Sequence, residues 1–135
     1  MDENFTPMGD FKKFQKLVVQ SAGIKFYGLF SIAQSRAEGL LSNAPEMISF
    51  IEDYVKDKEI YYDIGANIGV FSMYSAIKKN AKVFAFEPES SNYFMLNKNI
   101  SLNKLSGKVI AFNIAINDID EFSFLNCRGN VLPGK

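Results

Sequence analysis

The chain has 135 residues, 47% hydrophobic and 14% aromatic, with fifteen Lys and Arg set against fifteen Asp and Glu. That is one domain or part of one, apolar enough to bury a core, and its zero net charge argues against a mainly electrostatic nucleic-acid binder. With no His and a single Cys, Cys127, it has no Ser-His-Asp triad, no His-ligated zinc, no intrachain disulfide and no CxxC motif.

The start, Met1-Asp2-Glu3, is acidic where a secretory signal is basic. The most apolar stretch, Leu17 to Ala33, is broken by Gln20 and Lys25 and is shorter than the roughly 20 residues that span a bilayer. The expectations are a cytoplasmic protein without a transmembrane segment. After a loose lead-in, Phe11, Phe14, Leu17, Val18 and Ala22 fall on one helical face. A helix ended or bent at Gly23 is expected there, with Phe26, Tyr27 and Phe30 continuing an apolar face toward Leu40 and Leu41. Ser42-Asn43-Ala44-Pro45 restarts the chain, with Pro in a first-turn position. Met47, Ile48, Ile51, Tyr54 and Val55 then predict a helix to about Lys56. Residues 1–59 are therefore expected to form an N-terminal helical segment.

At Ile60 the character changes. Ile60–Ile64 reads as a buried strand, Gly65–Gly69 as a tight turn and Val70–Lys79 as a helix. A second strand, Lys82–Phe86, leads through Glu87-Pro88-Glu89 into a helix over Ser90–Asn103, and Val109–Phe112 is a third strand. Ile114–Ile116 and Phe122–Leu125 flank Asn117–Asp120 as a short hairpin. Tyr61, Tyr62, Phe84 and Phe86 are expected to pack on sheet faces. The pattern β-α-β-α-β predicts an α/β, Rossmann-like, mostly parallel sheet with right-handed crossovers over residues 60–126, followed by a loop tail over 127–135.

The chemistry concentrates at two strand ends. In Asp63-Ile64-Gly65-Ala66-Asn67-Ile68-Gly69, Gly65 permits a tight turn and leaves no side chain where a ligand approaches. Gly69 lets the next helix start close to the sheet, and that helix start presents free N–H groups. Asp63 can face a cationic group or accept hydrogen bonds in the crevice. Glu87 stands 24 positions after Asp63, at the tip of the neighbouring strand, where an acidic residue can hold both hydroxyls of a ribose. It is expected to matter little for fold stability there. Pro88 fixes the chain's exit into the next helix. A dinucleotide fingerprint would place Gly where Asn67 stands, so a pyrophosphate fits less well. A ligand with a carboxylate and an amine, such as S-adenosylmethionine, fits better.

These residues resemble the FkbM-type family of S-adenosylmethionine-dependent methyltransferases. Asp63, Gly65, Ala66, Asn67 and Gly69 match its first motif, and Phe86, Glu87 and Pro88 its second. Leu96, Asn99 and Asn103 match the helix that follows, where both Asn side chains are read as structural. Glu46 upstream, and Asn113, Ala115 and Asp118 downstream, are similar to flanking positions. The resemblance implies S-adenosyl-L-methionine as cofactor, bound by Asp63, Gly65, Ala66, Asn67, Gly69, Glu87 and Pro88, with backbone near Ala115 meeting the adenine. It implies O-methyl transfer to a hydroxyl of a sugar or natural product, hence a small-molecule or glycan acceptor, with no nucleic acid and no metal.

Such methyltransferases have seven strands in the order 3-2-1-4-5-7-6. The chain beyond the third strand has room for a hairpin and a tail only, and nothing after Leu125 resembles the family's acidic fourth-strand motif. The expectation is a fold incomplete relative to that sheet: a fragment, a truncated product or a cofactor-binding remnant. The alternatives are a non-catalytic cofactor-binding or interaction domain and, disfavoured by Asn67, a dinucleotide oxidoreductase. No catalytic residue is assigned. Ile60–Ile64 would be an unpaired apolar edge, and self-association without methyl transfer is expected of these residues alone.

Overall fold

Three β-branched and aromatic runs, each followed by a turn, set the frame. In the computed structural model, which describes residues 18–27, 35, 38, 39 and 42–125, they become β3 (Ile60–Ile64), β4 (Lys82–Phe86) and β5 (Val109–Phe112). The three form one parallel sheet in the order β3-β4-β5, with Asp63 opposite Ala85 and Phe86 opposite Phe112. Helix α2 (Val70–Lys78) connects β3 to β4, and α3 (Ser90–Leu102) connects β4 to β5. Helix α1 (Pro45–Tyr54), started by Pro45 in its first turn, precedes the sheet. This is the expected α/β, Rossmann-like arrangement.

Each strand alternates. Tyr61 and Asp63, Val83 and Ala85, and Val109 face the core under α2 and α3, joined there by Met73, Ala76, Leu96 and Ile100. The opposite face carries Tyr62, Phe84, Phe86 and Phe112, a ladder of near-parallel rings with centroids 5.1–6.4 Å apart. Tyr62 is 61% exposed, so the expected sheet-face packing holds for Tyr61 within the core and for the other three as a ladder. Among the described residues no strand pairs with the outer side of β3.

The N-terminal part differs from expectation. Val18–Ser21 (β1) and Ile24–Tyr27 (β2) form an antiparallel hairpin, with Ser21 opposite Ile24. Its turn is Ala22-Gly23, at φ 52° and 80°, the left-handed pair that a two-residue hairpin turn requires. Ile24 and Phe26 are fully buried and Lys25 is exposed. This two-residue alternation, anchored on the core, overrides the helical spacing that includes Val18 and Ala22. Phe11, Phe14, Leu17, Phe30, Leu40, Leu41, Cys127 and the 127–135 tail lie outside the described residues. The hairpin expected around Asn117–Asp120 does not form. Residues 113–125 carry no strand, and Phe122 and Phe124 are almost fully exposed; without a facing strand their backbone has no ladder to join. No helix among the described residues is long and apolar enough to cross a membrane.

Candidate cofactor site

The site is the gap between the carboxyl ends of β3 and β4. After Ile64 the chain must reverse into α2 within five residues. It does so with three left-handed residues: Gly65 at φ 76°, Asn67 at 54° and Gly69 at 88°. Asn tolerates this region better than most side chains. Its Oδ1 accepts the following N–H, that of Ile68, at 2.9 Å. Gly65 and Ala66 both donate to the carbonyl of Phe86, at 2.9 and 3.0 Å, which ties the turn to the end of β4.

Glu87 completes the tie. It is 5% exposed. Its Oε2 accepts the Asn67 N–H at 2.7 Å and its Oε1 accepts the Glu89 N–H at 2.8 Å. Asn113 holds the same turn from the other side, donating through Nδ2 to the carbonyls of Glu87 at 2.8 Å and Pro88 at 3.1 Å. A carboxylate has about four acceptor positions, so two remain for hydroxyl groups.

Asp63 is 6% exposed and accepts the Ser72 hydroxyl within α2. Of the two roles open to it in the sequence, accepting hydrogen bonds is the one it fills. Burial holds its carboxyl above the ordinary carboxylate range; the Ser72 bonds oppose this and the Glu87 charge reinforces it. Burial, and then the Asp63 charge, likewise raise the Tyr61 hydroxyl.

In front of the turn lies a cavity of about 320 Å³, bounded by Gly39, Asn43, Ala44, Gly65, Ala66, Asn67, Val70 and Phe71. A Cβ placed on Gly65 would meet nothing within 4 Å, whereas one on Gly69 would come within 2.5 Å of Leu96 Cδ1. Gly65 therefore faces open space, and Gly69 is the point of close helix-to-helix approach. Of the expected site residues, Gly65, Ala66 and Asn67 line this cavity, Glu87 is bonded to Asn67 beside it, and Asp63, Gly69 and Pro88 are not part of its lining. Ala115 lies in the exposed 113–125 stretch, with no hydrogen bond that joins it to them. No group of three His, Cys, Asp or Glu among the described residues could hold a metal.

Sequence reasoning missed Ser72, which needs the helical turn to reach Asp63, and the wall formed by Asn43, Ala44 and Phe71. It also missed the reach of Asn99 to the turn, for which its place on the inner face of α3 was the available signal.

The open cradle at Gly65 and the size of the cavity fit a nucleoside joined to an amino acid. Comparison with known proteins agrees with that fit. TYW2 of Methanocaldococcus jannaschii, solved in complex with AdoMet, is 27% identical with a TM-score of 0.55; the match covers 70% of this chain and 41% of that one. The M. jannaschii tRNA m1G37 methyltransferase is 26% identical with a TM-score of 0.58, over 76% of this chain and 31% of that one. A complex of aTrm5 with tRNALeu gives 25% identity and a TM-score of 0.59, over 76% and 29%. This chain spans between 29% and 41% of the length of these proteins. A search among curated sequences finds no match.

Two expectations are corrected. The chain does not belong to the FkbM-type family. The motifs that suggested it are a strand-to-helix turn and an acidic strand tip, and these do not encode the acceptor. The exclusion of nucleic acid and the choice of a small-molecule or glycan acceptor fall with it, since a matched structure holds tRNA. Net charge is a sum, and a balanced sum in one part of an architecture says nothing of where basic groups lie. The model of the TRM5/TYW2 methyltransferase domain matches residues 41–128, and the chain belongs to that family.

Proposed function

We propose that this chain binds S-adenosyl-L-methionine at the 65–69 turn and serves methyl transfer to tRNA. The observation that carries this is the bond from Asn67 N–H to Glu87 Oε2, which closes the turn against the acidic strand tip. The AdoMet complex of one solved relative and the tRNALeu complex of another support the two halves of the reading.

When bound, the cofactor supplies an electrophilic methyl group on a sulfonium. The residues of this chain supply position. Glu87 offers its two unused acceptor positions to the ribose hydroxyls, and Asn113 keeps its backbone from turning. Gly65 leaves room for close approach, Asn67 and Ala66 line the same opening, and Pro88 carries the chain away into α3. Asp63 fixes the start of α2 through Ser72 rather than meeting solvent. Displacement at a sulfonium methyl depends on alignment, so holding the donor rigidly accounts for much of what a protein contributes.

A thermal-shift titration tests the cofactor half. At 100 times its dissociation constant a ligand stabilises by about 2.7 kcal/mol, so S-adenosylhomocysteine should raise the melting temperature and NAD should not. Stabilisation by NAD alone would overturn the reading. Filter binding with S-adenosylhomocysteine present tests the acceptor half: tRNA should be retained, more weakly as salt rises. Failure to retain tRNA at low salt would return the acceptor to an open question.

A further inference from the structure

The side chain of Asn99 lies in α3, fully buried, and bridges two parts of the chain that are otherwise far apart in sequence. Its Oδ1 accepts the Tyr27 N–H at the end of hairpin strand β2, at 2.9 Å. Its Nδ2 donates to the Ile68 carbonyl in the cofactor turn, at 2.8 Å. A backbone N–H can only donate and a carbonyl can only accept, so the two partners dictate which way the amide points. Tyr27 also packs against the small cluster of Ile68 and Met95. Ile68 sits between two left-handed residues, Asn67 and Gly69, where no regular ladder fixes its peptide plane. One residue before it is the amide that Glu87 holds.

We propose that Asn99 is a positioning residue through which hairpin β1–β2 sets the conformation of the cofactor turn; this rests on reading residues 65–69 as the cofactor site. A neighbouring residue provides the contrast. Asn103, four positions on, binds the same hairpin through Lys25, accepting its N–H at 3.0 Å and donating to its carbonyl at 2.7 Å. It also donates to the Asn99 carbonyl at 2.8 Å, within the last turn of α3, and has no bond to the 65–69 turn. Asn103 thus anchors the hairpin, while the Asn99 side chain hydrogen-bonds both hairpin and turn, beside the apolar contact of Tyr27 with Ile68. A buried amide with both ends paired has one low-energy orientation, which suits it to transmit position.

The test compares Asn99→Asp with Asn103→Ala on the full chain. As a carboxylate, the first keeps an acceptor for Tyr27 and loses the donor to Ile68; the second removes the anchor at Lys25 and the bond to the Asn99 carbonyl but leaves both side-chain bonds of Asn99 in place. At a temperature where circular dichroism shows both variants folded, Asn99→Asp should weaken S-adenosylhomocysteine binding about tenfold, the worth of roughly one hydrogen bond. Asn103→Ala should change it less than twofold while lowering the melting temperature. Equal affinity in Asn99→Asp and wild type would overturn the proposal, as would equal loss in both variants.

Should Asn99→Asp fail to fold, wild type alone decides. Linkage is reciprocal, so saturating S-adenosylhomocysteine should slow hydrogen exchange at the Tyr27 amide more than at the Lys25 amide. Equal or absent slowing at Tyr27 would overturn it. If wild type binds no S-adenosylhomocysteine, the cofactor reading fails, and exchange in ligand-free protein still judges the link. The Asn67, Ile68 and Gly69 amides should then exchange faster in Asn99→Asp, or in Asn99→Ala where the Asp variant does not fold, than in Asn103→Ala. Unchanged exchange would overturn it.

Discussion

The Glu87 carboxylate and the Asn67 amide meet at 2.7 Å across twenty residues of sequence, one just past the end of β4 and the other in the turn after β3. A bond between a charged acceptor and a backbone donor contributes roughly 1.5–3 kcal/mol. Bonds from the ribose hydroxyls to the same carboxylate, as proposed, fall in the same range, so Glu87→Ala should weaken S-adenosylhomocysteine binding about ten- to a hundredfold in calorimetry. It should also lower the midpoint of urea unfolding. The strand-tip position had suggested little effect on stability, but a carboxylate 5% exposed that accepts two backbone N–H groups is part of the fold. An unchanged midpoint would show that Asn67 and Glu89 find water instead.

The two turn glycines should fail differently. Gly69→Ala places a Cβ 2.5 Å from Leu96 Cδ1 at φ 88°. Leu96 is fully buried, so the variant bears both the left-handed penalty of about 1–2 kcal/mol and a core shift. Gly65→Ala bears the backbone penalty alone, because its Cβ meets nothing, yet that Cβ stands in the opening proposed for the cofactor. Thermal unfolding should rank Gly69→Ala as the less stable, and calorimetry should rank Gly65→Ala as the weaker binder relative to its folded fraction. The reverse ranking in binding would move the ligand away from Gly65.

Asp63 gives stability a defined pH dependence. Burial is the largest cause of its raised pKa, so the folded protein holds that proton more tightly than the unfolded chain does. Its contribution is then full below the ordinary carboxylate value and is lost as pH rises through the raised one. Asp63→Asn cannot titrate, so its stability relative to wild type should improve as pH climbs through this window. Ser72→Ala removes an opposing bond and should extend the window upward. Parallel pH profiles for wild type and Asp63→Asn would exclude the effect.

Glu89 has the opposite sign. It caps α3, accepting the N–H groups of Ser91 at 3.1 Å and Asn92 at 2.7 Å and the Ser91 hydroxyl at 2.7 Å. The Ser91 hydroxyl and then the Asn92 amide hold its pKa below the ordinary value. Glu89→Ala should cost about 1 kcal/mol at neutral pH, as loss of a helix N-cap does. The difference from wild type should shrink as pH falls through the lowered pKa, since the cap is fully present above the unfolded value. A difference independent of pH would assign the cost to something other than the charged cap.

The sequence by itself determined the β-α-β-α-β order and the two strand ends that form the site. Ile60–Ile64 and Lys82–Phe86 are apolar runs bounded by glycine and proline turns, and both signals act over a few residues. Tertiary structure alone decided what depends on partners distant in sequence. The alternation of Ile24, Lys25 and Phe26 becomes a hairpin because the core takes Ile24 and Phe26 and because Asn99 and Asn103 bond its backbone. The local turn at Ala22-Gly23 permits that hairpin, but its partners Asn99 and Asn103 lie more than seventy residues away. The stretch from Ile114 to Leu125 has the composition of a hairpin but meets no facing strand, so its alternation has no surface to bury against. The acceptor was illegible for a similar reason. The motifs at Gly65 and Glu87 are the ones proposed to meet the cofactor, and a cofactor shared by many enzymes leaves no imprint of what receives its methyl group.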